Sequence, residues 1–525
     1  MERRGNFFLF GSATLSGAID AIRKKSAGIF YFLLLAPFIL ALFAAILSAW
    51  PFTTDDAYIT LRYASNWANY GQLNWNLNDP TRVEGYSSSL YLALAFLAIK
   101  LSLNPVVFLK VVSLISLCGA LAVIFLMARM FSNTMGGMMA ATFLGSYYGT
   151  IWWTVSGLET ATYIFLTLLS LYFYCLSLRT AEKKSLLLLG LTGVLVSLTA
   201  MTRPEGPLIG IVIVVGLLIE SLVEKRPWKL VFIKVFYLAL PFIVIYGTYF
   251  LLRYSWFNEL WPNSYYCKKG FARNPWSLIN MFLRDYKIYL LVGLIGFLNK
   301  KVRAFLAISY SYVFILMAGL YGVDPIIAHY NRHFLIAIAL SAIILVVALD
   351  QLGRIKPLIA GVFILICIIY NIQTTFHHRE RLKDEAASYA KRMEARARLA
   401  EYLNGLPILS YAIGDAGLVP YLTPGKKVFD YYGLNSREFT SKSIGKQNKL
   451  YANWLANQWP DAVIIVSNSE ISFVSKNQTQ ILLYNLFTRD RGYGDLSLSF
   501  GASGSIYHSP YYYRILIRKG EESSY

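Results

Sequence analysis

The sequence predicts a polytopic α-helical membrane protein that carries a C-terminal extracytoplasmic α/β domain. Three observations predict it. Of 525 residues, 56% are hydrophobic and only 15% charged, far more apolar than a soluble domain. The apolar residues come in blocks of about 20, the length that spans a bilayer core as a helix. From about His377 the blocks stop, and short apolar runs alternate with charged and turn residues.

The N-terminal "MERRGNFFLF" and the following "AIRKKSAGIFYFLLLAPFILALFAAILSAW" place basic residues before an apolar run of full spanning length. A cleaved leader has a shorter apolar core and a small-residue cleavage site. The segment therefore predicts a retained first helix with a cytoplasmic N-terminus. Further apolar blocks lie near 86–101, 105–127, 134–150, 159–178, 185–201, 206–222, 230–252, 286–299, 303–320, 334–350 and 357–374. The loops "RTAEKK" from Arg179, "EKRPWK" from Glu224, "NKKVR" from Asn299 and "QLGRIK" from Gln351 carry the Lys and Arg that mark cytoplasmic loops. Counting back from them puts "SGLET" at Ser156 outside, as is the loop after Trp50. Three blocks separate these external points, so one of 86–101, 105–127 and 134–150 does not cross completely. The expectation is about eleven full spans and one partial or re-entrant segment, in a multi-pass protein of the cell (inner) membrane. The membrane domain is 1–375, with a first external loop at about 51–86.

Residues 376–525 form the second domain. "HHRERLKDEAASYAKRMEARARLAEYLNG" reads as a charged helix ended by Gly405 and Pro407. "ILSYAI", "KVFDYY" and "DAVIIVS" read as strands, "YANWLANQW" as a helix between the last two, and "YYYRILIRKG" as a closing strand. The loop count places this domain outside. A net charge of +20 does not indicate nucleic acid, because the Lys and Arg cluster in short loops between apolar blocks. Cys118, Cys175, Cys267 and Cys367 are too scattered for a metal pattern or a disulfide framework. No repeat of solenoid or inverted-transporter type is visible.

The polar residues that need explaining collect on the external side: Asp55, Asp56 and Arg62; Arg82 and Glu84; Glu159; Arg203 and Glu205; Lys268 and Lys269; and Asp324, His329, Arg332 and His333. Together they offer a cavity with a carboxylate base and several cations. Each also has a plainer reading. One of Asp55 and Asp56 suffices to cap the next helix, which leaves the other to explain. If that segment is a helix, Asp55, Ile59 and Arg62 share a face, and Arg62 can hold Asp55 ionised, as a general base requires. Arg203 and Glu205 flank Pro204, which itself breaks a helix between two spans. His329 and His333 have the i, i+4 spacing of a helical metal pair but lack a nearby carboxylate pattern; Arg332 is better placed to meet an anion. Lys268 and Lys269 serve as interfacial anchors or phosphate contacts.

"DDAYITLRYASNWANYGQLNWN" followed by "RVEGYSSSLY" resembles the first external loop of bacterial membrane glycosyltransferases of the GT-C fold, most closely in pattern the arabinofuranosyltransferases of actinobacterial cell-wall synthesis. "SGLET", "TRPEG", "LWPNSYYCKKG", "NRHF", "AIGDAGLVPYL" and "VFDYYGLN" are similar to later motifs of that family. The resemblance spans nearly the whole chain. It implies transfer of a pentose or hexose from a polyprenyl-phosphate donor to a glycan, lipid or protein acceptor on the external face. It also implies that Asp55 or Asp56 is the base and that Glu84 matches a second acidic position of the loop. It names no definite cofactor, leaves a divalent cation open and assigns it no ligands. The soluble part is shorter than in the arabinosyl enzymes, so sugar and acceptor stay open. A transporter or flippase of lipid-linked sugars also needs buried charge, but these motifs gather at one face and not at the midplane.

Overall fold

The computed structural model describes residues 8–268, 274–323, 329–354, 356–436, 448–502 and 511–519. Seven helices are long and apolar enough to cross a membrane: Ile29–Ala49, Pro105–Phe131, Thr160–Ser177, Glu182–Thr202, Trp228–Phe257, His329–Gly353 and Pro357–Gly405. Ser89–Lys100, Pro207–Val223 and Arg303–Gly319 are shorter apolar helices. Two of these shorter helices, Pro207–Val223 and Arg303–Gly319, have 17 residues, the low end of the spanning range. Of the blocks in which an incomplete crossing is expected, two are short: Ser89–Lys100 has 12 residues, and the third block breaks at Tyr147 into Thr134–Ser146, of 13, and Tyr148–Thr154, of 7. At 1.5 Å per residue the two longer pieces are about 18–20 Å long, well short of a core of about 30 Å.

Local signals start and stop these helices. Asn104 accepts from the Val106 and Val107 N–H groups and Pro105 follows at the first helical position, so Pro105–Phe131 begins there. Gly71, at φ 70°, ends the Ala57–Tyr70 helix of the first loop in the left-handed turn that glycine tolerates. No break falls near residue 375. Pro357–Gly405 is one helix of 49 residues, roughly 74 Å long, whose charged second half projects beyond its apolar first half.

Strands Ser410–Ile413 (β1), Lys427–Asp430 (β2), Ala462–Ser467 (β3), Tyr493–Ala502 (β4) and Tyr511–Arg518 (β5) form a sheet of order β2-β1-β3-β5-β4. β1 pairs parallel with β2 and β3, whereas β5 runs antiparallel to β3 and β4. The four expected strands are present; β4 is the addition. Its Ser and Gly content, "YGDLSLSFGA", is weak strand sequence, and pairing with β5 holds it.

Side chains alternate between the two faces of the sheet. Tyr411, Ile413, Ala462, Ile464, Tyr513, Ile515 and Ile517 share a core with Ile59, Leu61, Tyr63, Trp75 and Tyr86 of the first loop. Ala412, Val463, Ile465 and Leu516 face the opposite core with Leu455, Leu483 and Phe487. One face of the sheet is therefore built directly on the first loop, through buried side chains worth about 1.5–3 kcal/mol each.

Candidate active site

The first loop leaves the membrane helix under tight control. Lys110, buried in Pro105–Phe131, donates from Nζ to the Trp50 and Phe52 carbonyls at 2.7 Å each. The Thr54 N–H donates to the Ser156 carbonyl at 3.0 Å, which docks the loop on "SGLET". Asp56 stands at the N-cap of Ala57–Tyr70 but its side chain makes no capping bond. Its carboxylate is half-buried and has no hydrogen bond or ion pair with a described residue. Capping therefore explains neither acid.

Asp55 is buried. Its Oδ1 accepts the Leu418 N–H at 3.0 Å and lies 3.4 Å from Arg396 Nε, while its own N–H donates to Tyr389 OH at 3.0 Å. Oδ2 carries no hydrogen bond to a described residue and lies against Gly417, where a Cβ would stand 2.4 Å from it. Burial pushes the Asp55 pKa up to about 6, with Arg396 pulling it down and Asp415 and Asp56 adding to the rise. Such a carboxylate is mostly ionised at neutral pH and still basic, as a general base must be.

The expected partner is different. Arg62 makes no ion pair with Asp55: its guanidinium donates to the carbonyls of Trp75, Pro420, Thr423 and Lys426 and to Asn76. The spacing puts Asp55 and Arg62 on one face, but Asp55 precedes the helix and Arg62 turns to the buried carbonyls at the end of Leu418–Leu422. Arg62 fastens the first loop to the segment that leads into β2. Arg396, unremarkable in a highly charged helix sequence, takes its place.

Glu159, Arg203, Glu205, Arg332 and His333, from three separate motifs, form one cluster. Glu159 Oε1 accepts from Arg203 Nη1 at 3.3 Å and from Arg332 Nη2 at 3.0 Å. Arg203 also binds Glu205 Oε1 through Nε at 2.6 Å and His333 Nδ1 through Nη2 at 2.6 Å. Arg332 Nε donates to Thr160 Oγ1 at 3.2 Å, and its guanidinium lies 4.8 Å from the Trp153 ring centre. Arg203 is thus fully engaged, whereas Arg332 keeps Nη1 without a described partner. Arg332 is the cation free to meet an anion, and Asp56 and Glu159 both act on its charge.

The approach to Arg332 is strained. Tyr330 and Asn331 have φ of 54° and 53°, a left-handed conformation costly for residues with a Cβ. Several contacts hold it: Tyr330 OH and Tyr148 OH each donate to Glu385 Oε2 at 2.6 Å, Asn331 Nδ2 donates to Tyr147 OH, and Trp153 Nε1 donates to the His329 carbonyl. A Cβ at Gly149 would stand 2.3 Å from the Tyr330 carbonyl oxygen, so only glycine admits the turn. The same kink breaks the helical register that the His329 and His333 pair presumes, and His333 is occupied by Arg203. These two histidines are not a metal pair. No group of three or more His, Cys, Asp or Glu side chains converges as a metal-ligand set among the described residues.

Glu84 belongs to another buried cluster. It pairs with Arg253, whose Nε donates to Oε2 at 2.7 Å, and its carbonyl accepts the Asn263 N–H at 2.9 Å. Burial raises its pKa, and Arg253 opposes the rise. Asn263 also donates to the carbonyls of Gly433, Leu434 and Ser436, so "LWPNSYYC" and "VFDYYGLN" meet at the end of the first loop. Glu84 makes no ion pair with the Asp55 or Glu159 groups among the described residues. Lys268 ends the short Asn263–Lys268 helix; Lys269 and Asp324 lie outside the described residues. Lys110, Arg253, Glu385, Arg396 and Asp415 were not legible as site residues. Lys110 and Arg253 gave a signal, as cations inside apolar helices.

No protein-family model matches the sequence, and no curated protein matches it. Solved structures share the fold. The apo state of ArnT from Cupriavidus metallidurans aligns with a TM-score of 0.62 over 94% of this chain and 98% of that one, at 11% identity. The same protein bound to undecaprenyl phosphate gives 0.61 over 93% and 97%. The oligosaccharyltransferase of Archaeoglobus fulgidus in its apo form gives 0.53 over 91% and 75%, at 13% identity. Its complex with an inhibitory peptide and a dolichol-phosphate gives 0.51 over 83% and 69%. The likeness is one of fold: the chain is a multi-pass membrane protein of GT-C architecture with a C-terminal sheet.

Proposed function

We propose that this chain is a membrane glycosyltransferase that moves a sugar from a polyprenyl-phosphate carrier to an acceptor hydroxyl on the external face of the membrane. Two observations carry the reading: a buried but ionisable Asp55 after the first span, and an Arg332 beside Glu159 whose Nη1 has no partner among the described residues. Two structural neighbours are described with polyprenyl-type phosphates bound, undecaprenyl phosphate in ArnT and dolichol-phosphate in the archaeal enzyme, and this supports the choice of donor.

In this reading Asp55 Oδ2 takes the acceptor proton as the acceptor oxygen attacks the anomeric carbon. The bond from that carbon to the phosphate oxygen breaks, and the phosphate leaves with one more negative charge. Arg332 steadies that charge, a contribution largest as the bond breaks. Glu159 and Thr160 hold Arg332 in place, Asp56 adds a negative charge nearby, and Arg203 ties Glu159 to His333. The donor sugar is a pentose or a hexose, and the acceptor is a glycan, lipid or protein. The basic loops set the N-terminus in the cytoplasm and the sheet outside.

Incubating membranes that contain the protein with radiolabelled polyprenyl-phosphate arabinose and polyprenyl-phosphate mannose tests the proposal. Donor-dependent product is expected. Label that crosses the bilayer without transfer refutes the reading in favour of transport.

A further inference from the structure

We propose that the C-terminal sheet is a working part of the reaction centre, in which Asp415 is a positioning residue that acts through Arg396 to set the place and charge of the Asp55 carboxylate. The inference rests on the reading of Asp55 as the base.

Three elements meet here. Arg396, from the outer half of Pro357–Gly405, is 6% exposed and divides its guanidinium between two acids: Nε faces Asp55 Oδ1 at 3.4 Å, and Nη2 binds Asp415 Oδ2 at 2.9 Å. Arg396 Nε also donates to Tyr513 OH at 2.8 Å. Asp415 Oδ2 accepts in addition from Tyr511 OH at 2.6 Å and from Tyr513 OH, both on β5. Three donors on one carboxylate oxygen make Asp415 a fixed counter-charge, and charge-assisted bonds of this kind are directional. Two residues on, the same loop covers the base: a Cβ at Gly417 would stand 2.2 Å from the Asp55 carbonyl oxygen and 2.3 Å from its Cγ, and the next N–H, from Leu418, is the one Asp55 accepts.

A buried acid, cation, acid chain is a poor source of stability, because desolvation offsets the attraction. It is well suited to fixing one geometry. Because the first loop and one face of the sheet share a core, a shift of the Asp415 loop is felt at Asp55. The remaining groups acting on Asp55 are Asp56 beside it, Tyr58 on the loop helix, Tyr389 on the long helix and Tyr513 on β5.

The test uses purified full-length protein with Asp415→Asn, Asp415→Glu and the milder Tyr511→Phe. Four quantities are measured: kcat and donor KM with radiolabelled polyprenyl-phosphate arabinose, the pH profile of transfer, and amide hydrogen exchange over 53–57. Asp415→Asn is expected to lower kcat by about tenfold or more, since a displacement of about 1 Å at a reacting group costs on the order of 10²-fold, with donor KM unchanged. Its acid limb moves below about 6, because a negative neighbour that raises the Asp55 pKa is gone. Exchange at the Asp55 N–H quickens. Tyr511→Phe shows the same changes in smaller measure, and Asp415→Glu recovers part of kcat. Folded Asp415→Asn and Tyr511→Phe proteins with wild-type kcat, acid limb and exchange overturn the proposal. A wild-type chain without donor-dependent transfer refutes the proposed function instead, and unchanged exchange in the variants then refutes the positioning separately.

Discussion

Replacing Asp55 by Asn separates charge from shape. Asn keeps an oxygen to accept the Leu418 N–H but cannot take a proton, and it ends the attraction to Arg396, which retains Asp415. With a pKa of about 6 the carboxyl is about nine-tenths ionised at pH 7 and about one-tenth at pH 5. Wild-type kcat/KM should therefore fall about tenfold per pH unit below about 6. A positioned base contributes about 10²–10⁴-fold, or roughly 3–5 kcal/mol of barrier, and the variant should lose that much together with the acid limb. Stability should move the other way. The folded pKa is raised from 3.8 to about 6, so the proton stabilises the fold fully below about 3.8, and that contribution is lost as pH rises through about 6. At about 1.4 kcal/mol per power of ten, the ionised form costs the fold up to about 3 kcal/mol at pH 7, which Asn avoids. The assay is turnover of radiolabelled donor by purified, size-homogeneous protein across pH 5–8, with melting temperatures alongside. Wild-type turnover in Asp55→Asn, or a loss of turnover that only mirrors lost folded protein, refutes the reasoning. Loss in Asp56→Asn with retention in Asp55→Asn moves the base to its neighbour.

Arg332→Lys keeps charge but loses the planar fork, and Arg332→Ala loses both. Both should lower turnover more than donor affinity, with Ala worse by about 1–2 kcal/mol of barrier; unchanged turnover in either variant removes Arg332 from the site. Gly149→Ala drives a Cβ toward the Tyr330 carbonyl at 2.3 Å, so the left-handed turn must shift at a cost of about 1–3 kcal/mol. A melting temperature and kcat equal to wild type would show that the turn is not needed. Arg62→Met strips donors from three buried carbonyls and one part-buried one, on the first loop and the segment before β2. Folded yield should fall while survivors keep their donor affinity, and a selective rise in donor KM would restore Arg62 to substrate binding. Asn78→Cys, exposed on the first loop, should react in intact cells with an impermeant thiol reagent, and Lys183→Cys should not. The reverse pattern inverts the topology.

Much of this molecule was legible from the chain alone. The apolar blocks, the change of character at His377 and the short apolar strands follow from local rules, because a bilayer core asks for long apolar helices and a buried sheet for short apolar runs bounded by turns. The motifs "TTDD", "SGLET", "TRPEG" and "NRHF" were read as one external cluster, and Glu159, Arg203, Glu205, Arg332 and His333 do converge. Length alone did not show that Ser89–Lys100 is too short to cross, since apolar composition runs on past the ends that Ser88 and Leu101 impose. Local spacing also chose the wrong cation for Asp55. It can compare Asp55 only with neighbours such as Arg62, whereas Asp55 accepts its hydrogen bond from a residue 363 positions away. Which buried charges are paired and which conformation aims Arg332 are decided only by distant packing: the sheet on the first loop around Asp55, and the helices that carry Tyr148, Trp153 and Glu385 around Tyr330. Pairing between distant segments is fixed by shared burial, where an unpaired charge is too costly to keep, and no local pattern of residues records that choice.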